Sequence, residues 1–126
     1  MKHTSVHAAA IIMALSMAPA LAAPSTSQGQ ISVAQVLELL EKSGSDSAAR
    51  NAVVAYLAGV GETAGLLMAD ERVQRAGLIQ CKTALSLADT NVVAALKAAA
   101  PDGATWEQTP ATPIILIDMF ARAGCT

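Results

Sequence analysis

Histidine is almost absent from this chain. The two that occur, His3 and His7, both lie near the N-terminus, inside a segment that reads as an export signal. Beyond it there is no imidazole. That excludes Ser-His-Asp and Cys-His catalysis, histidine-bound zinc and a histidine pH switch. Aromatics are nearly as scarce: Trp106, Tyr56 and Phe120 are the full set. A glycosidase working through paired carboxylates needs a sugar cleft, usually walled by aromatics, and three do not build one. The chain is read as no enzyme, and no cofactor or metal is expected. Charge is low as well, at 14% of residues. Without Lys2, seven basic side chains face ten acidic ones, a net charge of −3. A mildly acidic chain with scattered bases argues against nucleic acid and anionic membranes as partners.

The first segment is a targeting signal. Lys2 supplies a positive end, Ala8 to Ala18 is apolar apart from Ser16, and Ala20-Leu21-Ala22 places small residues at a cleavage site. Cleavage is expected after Ala22. This divides the chain into a signal peptide, 1–22, and a single helical domain, 23–126, destined for the periplasm. About one hundred residues suffice for one modest core.

Only two cysteines occur, Cys81 and Cys125. In an oxidising compartment such a pair reads as a disulfide. Neither has a CxxC partner or a histidine beside it, as a metal or redox site would require. The closed loop of roughly 45 residues would stabilise by up to about 4 kcal/mol in the chain-entropy model.

Residues 23–30 are a polar leader without periodicity, expected to be mobile. Helical signals begin at Ser32, an N-cap with Gln35 completing a capping box and Ile31 and Val36 placed as a staple. Val33, Val36, Leu37, Leu39 and Leu40 form the apolar face. Glu38 and Glu41 belong to the solvated side, and Gly44 suits the residue that ends the helix. A second helix is predicted from about Ser47 to Ala69 or Glu71. Its apolar run, Ala52 to Ala69, is expected to be the central helix of a bundle. It falls short of the roughly 20 apolar residues of a membrane span and contains Glu62. Gly59-Val60-Gly61-Glu62-Thr63-Ala64-Gly65 looks like a nucleotide loop on paper. It follows no strand, so close helix packing at Gly61 and Gly65 is the better account.

Asp70 to Gln80 is a charged connection. Ser86 and Asp89 form a second capping box before a helix over 87–100, with Ala88, Val92, Val93, Leu96 and Ala99 facing the core and Pro101 and Gly103 stopping it. Pro101 to Thr112 is the one long irregular stretch. Its Trp106 either lids the core or anchors a partner. Thr112 is the expected cap of the last helix, with Pro113 in its first turn. Asp118 and Arg122 are spaced as an ion pair, with Ile115 on the same polar edge. This helix is more apolar than a surface helix requires, so it is either central or a self-association surface. Gly124 ends it. The fold class is all-α, a compact bundle of about four helices with one disulfide.

The arrangement resembles the Rap/Tai family of type VI secretion immunity proteins, small periplasmic helical domains. The shared features are the signal peptide and Tyr56-Leu57-Ala58-Gly59-Val60 in the second helix. Cys81, a helix closed by Pro101, a tryptophan-bearing loop and a last helix ending at Cys125 follow in the same order. Many members carry a second cysteine pair where this chain has Ser43 and Val53, which implies a looser first helix. The resemblance implies an inhibitor of a peptidoglycan-cleaving amidase effector, often dimeric, with Pro101 to Thr112 as the obstructing loop and Asp102, Trp106 and Glu107 as contacts. Two other readings stand beside it. One is a periplasmic acid-stress chaperone of the HdeA type, which the apolar excess fits but ten carboxylates without histidine do not. The other is an exported helical domain with a different role.

Overall fold

The computed structural model describes residues 25–126; the expected signal peptide, 1–22, and its expected cleavage site lie outside them. Five α-helices follow in order: α1 (Val33–Lys42), α2 (Ser47–Ala69), α3 (Glu71–Ala76), α4 (Asp89–Ala99) and α5 (Ala111–Arg122). A 3-10 turn, Gly103–Thr105, lies between α4 and α5. The fold is all-α, and Cys81 and Cys125 are joined. The helix beyond the four expected is α3, which occupies the charged connection. Asp70 caps it and Gly77, with φ at +62°, ends it in the left-handed conformation that glycine adopts without strain.

α1 begins as its sequence dictates. The Ser32 hydroxyl accepts from the Gln35 backbone N–H at 3.1 Å, and the Gln35 side-chain Oε1 accepts from the Ser32 N–H at 3.0 Å. Its other end differs from expectation. Gly44 has no positive φ. The chain turns instead through Ser43, and the Ser45 and Asp46 N–H groups both return to the Lys42 carbonyl. Asp46 then caps α2, accepting from the Ala48 N–H at 2.8 Å and the Ala49 N–H at 3.3 Å.

α2 is not the central helix. One stripe of it is buried (Ala49, Val53, Leu57, Val60 and Ala64), while Val54, Leu66 and Leu67 are exposed. It packs along α1 and α5 and carries α3 at its end. The helix runs unbroken over 23 residues, and an 18-residue window within it has a mean hydropathy of 1.6, so its length does not exclude a membrane span. Close helix packing is found at neither Gly61 nor Gly65. A Cβ at Gly61 would lie 3.4 Å from Leu87 Cδ1, on the connection before α4 rather than on a helix, and Gly65 faces open space.

The core sits where α1, α2, α4 and α5 converge. Leu96, Ile115, Val33, Val36, Val53 and Val92 are its largest sealed side chains, with Met119 sealed lower on α5. Ile115, expected on the polar edge, is in this core, and Ile117 is exposed in its place. α4 starts at Asp89 without a side-chain cap: Ser86 makes no capping box, and its carbonyl accepts from Arg122 Nη2 at 3.0 Å. Of the expected α4 face, Val92 and Leu96 are buried and Ala88 and Ala99 are exposed, with Ala100 buried instead. Thr112 does not cap α5. Pro110 holds that position, and the Thr112 hydroxyl lies 2.8 Å from the Tyr56 hydroxyl. The Asp118–Arg122 pair forms at 2.8 Å.

Leu96 is fully buried at the centre of this core. Leu96→Ala is expected to cost about 2–5 kcal/mol in urea unfolding. Leu66→Ala, on the open side of α2, should change stability by less than about 0.5 kcal/mol.

Candidate partner-binding site

The stretch between α4 and α5 is short of regular structure but heavily bonded. The Asp102 carboxylate accepts from the Ala104 N–H at 3.0 Å and sets the 3-10 turn. The Thr105 carbonyl accepts from the N–H groups of Gln108 and Thr109. At the far end, Val33 donates to the Thr109 carbonyl and Ala111 to the Ile31 carbonyl, both at 2.9 Å, closing an antiparallel bridge between Ser32 and Pro110. The residues before α1 join this seam. Thr26 is buried, and the Ser27 N–H donates to Gln108 Oε1 at 3.0 Å. From Thr26 onward the leader is therefore a docked turn and not a mobile tail.

The structure places the three sequence-chosen contacts close in the chain but in different environments. Trp106 is half-buried against the core, and its indole N–H donates to the Ala100 carbonyl at 2.7 Å. This is a lid on the end of α4, with part of the ring still exposed. Asp102 and Glu107 are exposed. Asp102 has a structural duty as a cap, and Glu107 has no hydrogen bond or ion pair among the described residues.

Beside Trp106 a groove of about 600 Å³ runs between α1 and α4. Leu37, Leu40 and Val93 floor it, Trp106 lines it, and Glu41, Asp89, Thr90 and Lys97 edge it. The groove was not foreseen from the sequence. Leu37 and Leu40 read as core, yet both are only half-buried, because α1 has a wider apolar face than its neighbours cover. That excess width on a short helix was the available signal. Glu38 is on the solvated side as expected, paired with Lys42, and this pairing raises the Lys42 pKa through the hydrogen bond and charge of Glu38.

The disulfide closes the opposite end of the molecule. Gln80 and Thr126 exchange backbone hydrogen bonds at 3.0 and 2.9 Å, and the Lys82 N–H donates to the Ala123 carbonyl at 2.9 Å. Cys81 precedes α4 by eight residues, so the bond staples α5 to the connection and not to the start of α4 itself. Met68 lies beside it, with Sδ 3.9 Å from Cys81 Sγ. No family model, curated protein or solved structure matches the chain.

Reducing the disulfide is expected to lower the unfolding free energy by up to about 4 kcal/mol, read by urea titration with and without reductant. Tyr56 supplies a separate alkaline test. Burial raises its phenol above 10.0, partly opposed by the Thr112 hydrogen bond. As pH rises the unfolded chain loses this proton first, so the stability due to neutral Tyr56 is complete below about pH 10 and lost above it. Tyr56→Phe should flatten that decline in a pH series of thermal melts.

Proposed function

We propose that this chain is a periplasmic immunity-type binding protein that blocks a peptidoglycan amidase effector of type VI secretion, the role implied by its resemblance to the Rap/Tai family. The observation that carries this reading is the ordered loop after α4. It is pinned to α1 by the Ser32–Pro110 bridge and to α4 by the Trp106 indole, and it holds Asp102 and Glu107 out to solvent. A loop ordered before binding loses little conformational entropy on docking, which suits tight inhibition. Seated across a catalytic cleft, it would exclude the peptidoglycan stem peptide by occupying its place. The two carboxylates would meet basic groups at the cleft rim and speed the encounter. Trp106 acts in this scheme mainly by holding the loop's shape.

Trp106 is too deeply packed for a clean binding test, since its loss would disturb the end of α4. The charged pair is better. Asp102→Asn keeps a capping oxygen, and Glu107→Gln changes an exposed side chain. The double variant is expected to keep its thermal midpoint and to inhibit a type VI amidase from the same cell at least tenfold less well in a muropeptide-release assay. Undiminished inhibition would remove this loop from the interface. A parent protein that inhibits no amidase would remove the immunity role.

A further inference from the structure

The groove beside Trp106 has a polarity along its length. The start of α1 meets the end of α4 at Trp106: its carbonyl accepts from the Ala34 N–H at 3.2 Å, and its indole donates to the Ala100 carbonyl. The groove opens between the two helices from this junction. Glu41, near the end of α1, and Asp89, the first residue of α4, both line the groove away from the Trp106 junction. Lys97 edges the end nearer Trp106. None of these three charges makes an ion pair or side-chain hydrogen bond among the described residues, whereas Lys42 is taken by Glu38. Between the charged ends the floor is apolar, and no lining residue is fully buried, so the feature is open along its length.

We propose that this groove binds an amphipathic helical segment of the partner protein, with a basic residue placed on Glu41 and Asp89 and an acidic residue on Lys97. The proposal rests on the protein-binding reading above and adds a second contact area to it. The spacing sets the motif. Asp89 and Lys97 are eight positions apart on α4, about 12 Å at the helical rise. A helix lying alongside presents a base and an acid roughly two turns apart, with two large aliphatic side chains one turn apart between them on Leu37, Leu40 and Val93. A segment with two acidic ends meets repulsion at Glu41 and Asp89, and an uncharged one gains only the apolar floor.

Trp106 is the one tryptophan in the chain and lines the groove, so its emission reports occupancy. The probes are 14-residue alanine-based helices without tryptophan, carrying two leucines one turn apart. One has lysine and glutamate at the ends, one glutamine at both, one glutamate at both and one lysine at both. They are titrated into the chain expressed with its leader and collected oxidised. The lysine–glutamate helix is expected to shift Trp106 emission saturably and to bind at least tenfold more tightly than the glutamine helix. Glu41→Lys with Asp89→Lys should weaken it at least tenfold and favour the doubly acidic helix. Lys97→Glu should favour the doubly basic one. Equal binding of charged and uncharged helices, no saturable shift, or variants that leave the order unchanged would each overturn the inference. The two readings fail separately. Flat peptide titrations with amidase inhibition that still depends on Asp102 and Glu107 remove the groove alone. Charge-dependent peptide binding without amidase inhibition removes the immunity role alone.

Discussion

Three backbone hydrogen bonds between residues 31–34 and 106–111 hold the starts of α1 and α5 in register. Val33, Ala34 and Ala111 supply the donors at the seam's centre, and Ser27 extends it through the Gln108 side chain. These partners are more than seventy positions apart in sequence, so the seam forms only once the chain has folded back on itself. Once formed, it fixes where α1 and α5 begin, and with them which of their faces meet. Burial of Val33, Val36, Ala111 and Ile115 follows from that registration. The same bonds give the loop its shape, so core and candidate interface share one constraint.

The groove beside Trp106 is a consequence of helix lengths as much as of composition. α1 has ten residues and α2 has twenty-three, so α1 covers only part of what α2 offers. α4 meets α1 on the other side, and two leucines of α1 stay half-covered between them. Evenly matched helices would have sealed that space. The mismatch also explains the open leucines on the far half of α2, where no neighbour extends.

Features set by adjacent residues were legible in the sequence, and features set by distant ones were not. The Ser32–Gln35 cap, the long second helix, the Asp118–Arg122 pair and the Cys81–Cys125 bond each depend on local spacing or on one obvious pairing. The Ser86–Asp89 pattern had the same local form and failed. Arg122 takes the Ser86 carbonyl, and Leu87 is drawn against Gly61, so the backbone reaches helical geometry only at Asp89. Thr112 failed for a similar reason, its hydroxyl being engaged by Tyr56. The face of α5 was misread because Ile115 and Ile117 are two residues apart, and periodicity alone does not say which one the rest of the fold reaches. Trp106 was placed correctly on a loop and over the core, while the groove next to it needed the packing of α1 against α4 to exist at all.

Asp70 both terminates α2 and caps α3, accepting from the Arg72 N–H at 2.7 Å and the Val73 N–H at 3.4 Å. The helix it starts has six residues and buries none of them, so only its caps, the exposed Glu71–Arg75 ion pair and the Gln74 amide on the Met68 carbonyl oppose its opening. Arg72 and Arg75 stand on it, facing solvent. A trypsin-like protease would therefore find its substrate here without unfolding the rest. The cut would yield one piece with α1 and α2 and a second, disulfide-closed piece with α4 and α5. The shared core and the seam at Ser32 and Pro110 would still hold the two together. A single clip at this site would thus leave a two-chain particle joined through the shared core, with the Trp106 loop and its groove outside the cut segment.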